Sequence, residues 1–120
     1  MTYEPLRLHA PSRRDAVVVE LPVVLAPMAG VTNAAYRQLC REQGAGLYVC
    51  EMITSRGLVV GDQKTTDMLA FDPGEATRSV QLYGVDADVM ADAARILARD
   101  HAVDHIDLNF GCPVPKVTRK

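Results

Sequence analysis

The feature that most constrains the fold is an alternation of short strand-like runs with helix-like segments along most of the chain. Strand-like runs occur at residues 22–26, 47–53, 78–84 and 106–109, and a helical pattern, weak in one case, separates each run from the next. An alternation of this kind predicts parallel strands that are joined by right-handed crossover connections. The sequence therefore predicts an α/β fold with one parallel sheet.

Capping residues predict where the helices begin and end. Thr32 or Asn33 is a suitable N-cap for a helix that ends near Gln43, and Gly44 supplies the stop. The residues expected on the inner face of this helix are Tyr36, Leu39 and Cys40. The strand at residues 22–26 shows no alternation, so we expect it to be covered on both faces.

The middle of the chain contains two further helical patterns. Residues 54–70 predict a short or broken helix, and residues 72–75 have the composition of a turn. Asp86 is expected to cap a helix that runs to about Asp100. Its expected inner face comprises Val89, Met90, Ala93, Ile96 and Leu97. Cys50, on the strand before these segments, is expected to face a packed layer.

Each predicted strand ends in residues that are unusual for a packed core. These residues are Pro27, Met28 and Ala29, then Glu51 and Met52, then Gln81, and finally Asn109 and Cys112. Because parallel strands end at the same edge of a sheet, we expect all four groups to share one rim. Open α/β sheets and α/β barrels carry their functional sites at this edge.

The last of these groups combines an amide and a thiol at the mouth of a strand. Gly111 and the prolines at 113 and 115 interrupt the strand just where Asn109 and Cys112 are displayed. A buried cysteine in an ordinary turn is equally compatible with this spacing, since free cysteines are often buried. The spacing alone leaves both interpretations open.

Composition excludes several classes of protein. The chain is 48% apolar and 23% charged, as is typical of globular domains, and no apolar run approaches the ~20 residues that span a bilayer. Its three cysteines include no C-x-x-C pair, which argues against a disulfide framework and against a zinc or other metal site. We expect a cytoplasmic protein without a membrane segment.

The expected organisation is a lead-in followed by one domain. Residues 1–20 form the lead-in, with a short strand at Val17–Val19 that is expected in a hairpin, and residues 21–120 form the domain. The net charge of −2 gives no global signal for nucleic acid. Lys116, Arg119 and Lys120 nevertheless form a basic cluster after Cys112, which is either a solvated end or a surface for a phosphate-bearing substrate.

Three motifs in register resemble the tRNA-dihydrouridine synthases. They are Leu25-Ala26-Pro27-Met28-Ala29-Gly30-Val31-Thr32, Ser79-Val80-Gln81-Leu82-Tyr83-Gly84, and Leu108-Asn109-Phe110-Gly111-Cys112-Pro113-Val114-Pro115-Lys116-Val117. The likeness runs from about Leu21 to Lys120 with unbroken order and spacing. It implies the N-terminal half of an FMN-binding TIM-type (β/α)₈ barrel, strands 1–4, with tRNA as substrate and NADPH as electron donor.

The resemblance also implies roles for individual residues. The implied flavin contacts are Pro27, Met28, Ala29 and Gln81. Gln81 would bond to the edge of the isoalloxazine ring, because an amide both donates and accepts hydrogen bonds. Asn109 would contact the flavin or the target uracil, and Cys112 would donate a proton. Lys116 and Arg119 would contact phosphates of the tRNA backbone.

The implied chemistry suits these residue types. Reduced flavin would deliver a hydride to C6 of a uridine that has been flipped out of the tRNA fold. C5 then needs a proton from a nearby acid. An ordinary thiol titrates near ~8.5 and is mostly protonated at neutral pH, so a cysteine can give that proton.

The sequence departs from the family pattern in two respects. Asn33 stands where the family often has an acid, which we interpret as a change of cap only, since both residue types cap helices. A complete barrel needs ~250 residues and eight strands, and the family's later lysine, histidine, phosphate-binding glycine loop and helical domain have no counterpart here. We expect this chain to be the N-terminal part of such an enzyme and to be inactive alone.

Two other functions remain open from the sequence. One is a different FMN barrel that acts on free pyrimidines, such as a dihydroorotate or dihydropyrimidine dehydrogenase. The other is a truncated binding fragment without catalytic activity. The basic cluster after Cys112 favours tRNA over free pyrimidines, and the combination of Gln81, Asn109 and Cys112 favours an enzyme. The oligomeric state is left open.

Overall fold

The chain forms a four-stranded parallel sheet with helices between its strands. A computed structural model describes residues 2–8, 16–113 and 115. The elements are β1 (Leu6–Leu8), β2 (Val17–Val19), β3 (Val24–Leu25), α1 (Ala34–Gln43), β4 (Leu47–Thr54), α2 (Ser55–Val59), α3 (Gln63–Asp67), β5 (Ser79–Tyr83), α4 (Ala87–Asp100) and β6 (His105–Leu108). Within the described residues, the parallel sheet has the order β3-β4-β5-β6, and β1 pairs with β2 in a separate antiparallel hairpin. The predicted α/β fold, a partial barrel of parallel strands that alternate with helices, is confirmed.

The main core lies between one face of this sheet and α4. Val80 and Leu82 on β5 are fully buried and belong to the same apolar cluster as Ala93 and Leu97 on α4. The inner face predicted for this helix is therefore confirmed at Ala93 and Leu97. Because side chains alternate along a strand, Gln81 lies on the opposite face of the sheet, away from α4.

The hairpin of β1 and β2 packs against the beginning of β4. Val19 is fully buried and forms a small cluster with Leu47 and Val49, on which Leu8 also packs. The short strand expected at Val17–Val19 and its hairpin pairing are both confirmed. This cluster occupies the amino end of β4, so it leaves the carboxyl end of the sheet free for other contacts.

Two short helices follow β4. α2 and α3 together account for the broken helix predicted at residues 54–70. The following turn is also as predicted, since the Glu75 backbone N–H donates to the Asp72 carbonyl at 2.9 Å. No helix in the described parts of the chain is both long and apolar enough to cross a membrane.

The first strand of the parallel sheet differs from the expectation. The predicted strand at residues 22–26 is reduced to Val24–Leu25, and Val23 and Val24 are 49% and 47% exposed. Within the described sheet β3 is an edge strand that pairs only with β4. The prediction that this strand is covered on both faces was therefore wrong for the described residues.

The ends of α1 follow the prediction but its buried face does not. The Asn33 side chain accepts a hydrogen bond from the Tyr36 backbone N–H at 3.0 Å, and Gly44 forms the C-cap with φ of 83°. Asn33 thus caps the helix as expected. Tyr36 and Leu39, however, are 39% and 60% exposed, whereas Arg37 is fully buried. The expected inner face was wrong at Tyr36 and Leu39, because a buried ion pair to Glu75 allows Arg37 to occupy the interior.

Candidate functional site

Side chains from three neighbouring strands meet at the carboxyl end of the sheet. The Asn109 side-chain amide, just after β6, donates a hydrogen bond from Nδ2 to Oε1 of Gln81 on β5 at 3.1 Å. The same Nδ2 lies 3.9 Å from Sδ of Met52, which is buried on β4. The Asn109 backbone N–H donates to the Leu82 carbonyl at 2.9 Å and so continues the β5–β6 pairing. The structure therefore brings Gln81, Asn109 and Met52 together, as expected for residues at one rim.

Asp107 is part of this cluster, although sequence reasoning assigned it no role. It is the cross-strand partner of Gln81, and its Oδ2 accepts a hydrogen bond from Gln81 Nε2 at 2.5 Å. The period of two along β6 places Asp107 on the same face as Asn109, and this pattern was the signal available in the sequence. Asp107 and Asn109 together fix both ends of the Gln81 amide.

The loop after β3 is a compact turn built around Thr32. The Met28 backbone N–H donates to Thr32 Oγ1 at 3.0 Å, and the backbone N–H groups of Val31 and Thr32 both donate to the Met28 carbonyl at 3.0 Å. Thr32 is fully buried, whereas Met28 is 38% exposed. Pro27 is half-buried and Ala29 is exposed. The turn thus holds Pro27, Met28 and Ala29 beside the sheet with Met28 partly accessible.

Glu51 connects this loop to β4. Its Oε2 accepts a hydrogen bond from the Gly30 backbone N–H at 2.8 Å. Gly30 has φ of 73°, a conformation that glycine adopts without the steric penalty of a side chain. The hydrogen bond between Gly30 and Glu51 therefore fixes the loop after β3 relative to β4.

Cys112 lies on the loop that follows the Asn109 cluster. The Gly111 backbone N–H donates to Asn109 Oδ1 at 3.0 Å, so the residue before the cysteine is bonded to the cluster. Cys112 itself is half-buried and has a free thiol. Among the described residues, no hydrogen bond joins Gln81 to Cys112 or to Pro27, Met28 and Ala29. The predicted contacts at Lys116 and Arg119 lie outside the described residues, as does Lys120.

Cys50 on β4 is buried in the core and has a structural role. Burial raises the pKa of the Cys50 thiol to about 11, against a smaller opposing effect of the Arg37 charge, and Cys50 Sγ donates to the Met68 carbonyl at 3.3 Å. Cys50 thus stays a neutral thiol within the core, as the predicted packed position requires. Among the described residues, no group of three or more His, Cys, Asp or Glu side chains is arranged to hold a metal ion.

The donor set of the rim fits a planar heterocycle with a mixed hydrogen-bonding edge. An amide has two N–H donors and two acceptor lone pairs, and the contacts above use only part of this capacity in Gln81 and Asn109. The remaining donors and acceptors suit the alternating carbonyl and N–H groups of a flavin or a pyrimidine. The partly exposed Met28 side chain follows β3, which is the neighbour of β4 in the sheet.

Comparison with known proteins gives a consistent family match. The family model described as dihydrouridine synthase (Dus) matches residues 24–120. A probable tRNA-dihydrouridine synthase of Mycobacterium tuberculosis is 56% identical over 106 residues, which cover 82% of this chain and 27% of that protein. A probable tRNA-dihydrouridine synthase of Mycobacterium leprae is 45% identical over 123 residues, covering 81% and 32%. The tRNA-dihydrouridine synthase B of Pseudomonas syringae is 46% identical over 98 residues, covering 82% and 29%. The chain thus spans less than a third of the length of these curated relatives.

Proposed function

The chain belongs to the dihydrouridine synthase family, and on this premise we propose that it supplies part of a flavin-dependent enzyme that reduces uridine in tRNA to 5,6-dihydrouridine. The observation that carries the proposal is the hydrogen-bonded pair of Gln81 and Asn109 at the carboxyl ends of β5 and β6. This is the edge at which α/β barrels hold their ligands. The names of the relatives support tRNA as the substrate over free pyrimidines.

FMN is the cofactor proposed for this rim. When bound, it supplies the hydride that adds to C6 of the uracil ring, with NADPH as the source of electrons. Gln81 would bond to the ring edge, and Asp107 would hold the Gln81 amide in the orientation that this bond requires. Pro27, Met28 and Ala29 would lie along the flavin ring.

Cys112 is proposed to complete the reduction as a general acid. Addition of a hydride at C6 leaves C5 in need of a proton, and transfer of a proton from Cys112 Sγ would saturate the C5–C6 bond. The hydrogen bond from the Gly111 backbone N–H to Asn109 Oδ1 supports this role, because it connects the residue before Cys112 to Asn109. Asn109 would contact the flavin or the uracil, so neighbouring residues would orient both the proton donor Cys112 and the uracil ring.

The substrate is proposed to be bound through its phosphates as well as its target base. Lys116 and Arg119 follow the cysteine loop in the sequence, and cations at this point would pair with the tRNA backbone. The uridine would have to leave its stack to reach the rim. A tRNA substrate is also the reason to place the protein in the cytoplasm.

The decisive experiment separates proton transfer from cofactor binding, in the complete protein that the gene encodes. Cys112→Ala should retain FMN and lower dihydrouridine formation by about 100-fold or more, the usual range for loss of a general acid. Gln81→Ala should instead weaken FMN retention. Cys40→Ala is the matched control, since Cys40 lies on α1 with its thiol half-buried, and it should leave both quantities unchanged. Equal loss of FMN and activity in Cys112→Ala would contradict the assigned role.

A second candidate function is a binding fragment without catalysis. It is favoured by the geometry of the described residues, among which no hydrogen bond joins Gln81 to Cys112 or to the loop at Pro27, Met28 and Ala29. Purification of the chain alone distinguishes the two, because a fragment that only binds RNA or protein would be colourless, whereas one with a formed flavin site would carry the yellow absorbance of FMN.

A further inference from the structure

We propose that Arg37 is a positioning residue that sets the conformation of the loop at Pro27, Met28 and Ala29, acting through Thr32. The identity of FMN as the ligand of that loop rests on the proposed function, whereas the hydrogen bonds that connect Arg37 to the loop do not. Arg37 lies on α1 and is fully buried, which is unusual for a charged side chain and calls for a specific role.

The Arg37 guanidinium is held rigidly by Glu75. Arg37 Nε donates to Glu75 Oε1 at 2.6 Å and one terminal nitrogen donates to Oε2 at 2.9 Å, so the pair is bidentate. The same terminal nitrogen also donates to the Ala70 carbonyl at 2.9 Å, and the guanidinium carbon lies 5.3 Å from the centre of the Phe71 ring. Burial acts to lower the pKa of Arg37, but its hydrogen bond to Glu75 and the neighbouring acidic groups outweigh burial and raise it. Arg37 therefore stays charged and fixed.

The remaining terminal nitrogen connects this rigid group to the loop. It donates to the Thr32 carbonyl at 2.8 Å, and Thr32 in turn receives the Met28 backbone N–H on its Oγ1 at 3.0 Å. The Thr32 hydroxyl also donates to the Met28 carbonyl at 3.3 Å. Both polar groups of the Met28 backbone are thus bonded to a residue that Arg37 holds in place.

This arrangement requires an arginine. A planar guanidinium can bind a carboxylate with two parallel hydrogen bonds while a third nitrogen donates elsewhere, which a lysine ammonium cannot do in the same geometry. The charge is not needed for solubility, because the side chain is buried. The contacts therefore show a guanidinium that is bound to the Glu75 carboxylate on one side and to the Thr32 carbonyl on the other.

The test compares two double substitutions, each of which removes an ion pair between α1 and the turn at residues 72–75. Arg37→Met with Glu75→Gln removes the bond to Thr32 and leaves no unpaired buried charge, and such replacement of a buried ion pair is often tolerated. Arg41→Met with Asp72→Asn is the matched control, since the Arg41 side chain also connects α1 to the same turn, at 2.8 Å to Asp72. Arg41 is partly exposed, and among the described residues it forms no hydrogen bond to the loop. Hydrogen exchange of the backbone amides of Met28, Val31 and Thr32, and the Kd for FMN, are measured on each variant.

The expected result is specific to the double variant Arg37→Met with Glu75→Gln, called the Arg37 pair; the Arg41 pair is Arg41→Met with Asp72→Asn. Exchange at the three loop amides should accelerate by about tenfold, and FMN should bind about tenfold more weakly, as for loss of one hydrogen bond to a charged group. Amides of β5 should keep their protection, and the Arg41 pair should behave as the unsubstituted protein. Unchanged loop exchange in a folded Arg37 pair would overturn the proposal.

A second set of variants keeps the proposal testable if the Arg37 pair does not fold. Thr32→Val preserves the ion pair and removes only the hydroxyl bonds to Met28, so it should accelerate exchange at Met28, whereas Thr32→Ser retains the hydroxyl and should restore protection. Slow exchange at Met28 in Thr32→Val would also overturn the proposal. If the unsubstituted protein binds no FMN, the proposed function fails, and the exchange data still decide the role of Arg37.

Discussion

At the scale of single residues, protonation of His105 affects the stability of the fold. His105 begins β6, at the end of the sheet opposite the candidate site. Its Nδ1 lies 2.8 Å from Oγ of the buried Ser79, and burial lowers its pKa from an ordinary value of 6.5, against a smaller opposing effect of Asp107. The folded state therefore holds this proton less tightly than the unfolded state. The stabilising contribution of neutral His105 is complete above pH 6.5 and is lost as the pH falls below that value toward the pKa of the folded state.

A pH series of unfolding experiments tests this behaviour of His105. His105→Asn keeps a side-chain hydrogen-bonding group near Ser79 but does not titrate, so its free energy of unfolding should fall less between pH 7.5 and pH 5 than that of the unsubstituted protein. Identical pH profiles for His105→Asn and the unsubstituted protein would show that His105 does not contribute.

At the scale of secondary-structure elements, Gly84 allows β5, α2 and α4 to pack closely. A Cβ atom at this position would overlap Oγ of Ser55, at the start of α2, and would lie 2.9 Å from Sδ of Met90 on α4. Gly84→Ala should therefore reduce the free energy of unfolding by about 1–3 kcal/mol, the usual cost of overpacking. Chemical denaturation gives this value directly.

The Gly84 prediction has both a control and a rescue. Gly111→Ala adds the same methyl group where nothing lies within 4 Å, and it should change stability little. Ser55→Ala removes the atom that the new methyl group would meet, so the double variant should recover part of the loss. A Gly84→Ala variant as stable as the unsubstituted protein would contradict the packing.

The order and ends of the elements could be predicted from sequence because their causes are local. Asn33 and Asp86 cap α1 and α4 as predicted, since a capping side chain bonds to a backbone N–H three residues later. The buried face of α1 could not be predicted in this way. Apolarity favoured Leu39, but the interior position belongs to Arg37, whose partner Glu75 is 38 residues distant in the chain. A pattern of hydrophobicity carries no information about such a partner.

The candidate site, too, could be predicted only in part from the sequence. The meeting of Gln81 and Asn109 could be predicted, because parallel strands place their carboxyl ends together and the period of each strand is fixed. The sequence carried only part of the signal for Asp107: the period of β6 puts it on the same face as Asn109, but its hydrogen bond to Gln81 depends on the register between β5 and β6. Contacts that depend on register or on distant partners need coordinates, and they include the Arg37 link to the loop at Met28.

At the scale of the whole molecule, the parallel sheet has two unpaired edges within the described residues. β3 forms one edge and β6 the other, with Val24 and Leu108 each 47% exposed. An apolar groove of about 370 Å³ lies beside β3, lined in part by Val24, Leu39 and Cys40. Unpaired strand edges with apolar side chains promote pairing with other chains. We therefore expect the chain alone to associate as its concentration rises.

Sedimentation velocity over a range of concentrations tests this expectation, and charged edge variants identify the surface. Val24→Lys and Leu108→Lys should each shift the chain toward the monomer, because a charge on an edge strand disfavours edge-to-edge pairing. Val85→Lys is the matched control, since Val85 is 95% exposed but lies on the loop between β5 and α4, away from both edges. If Val85→Lys reduced association as much as Val24→Lys, net charge rather than the sheet edges would be the cause. In a longer protein whose further strands pair with β3 and β6, the same edges would be covered, and neither edge variant should then change the monomer fraction.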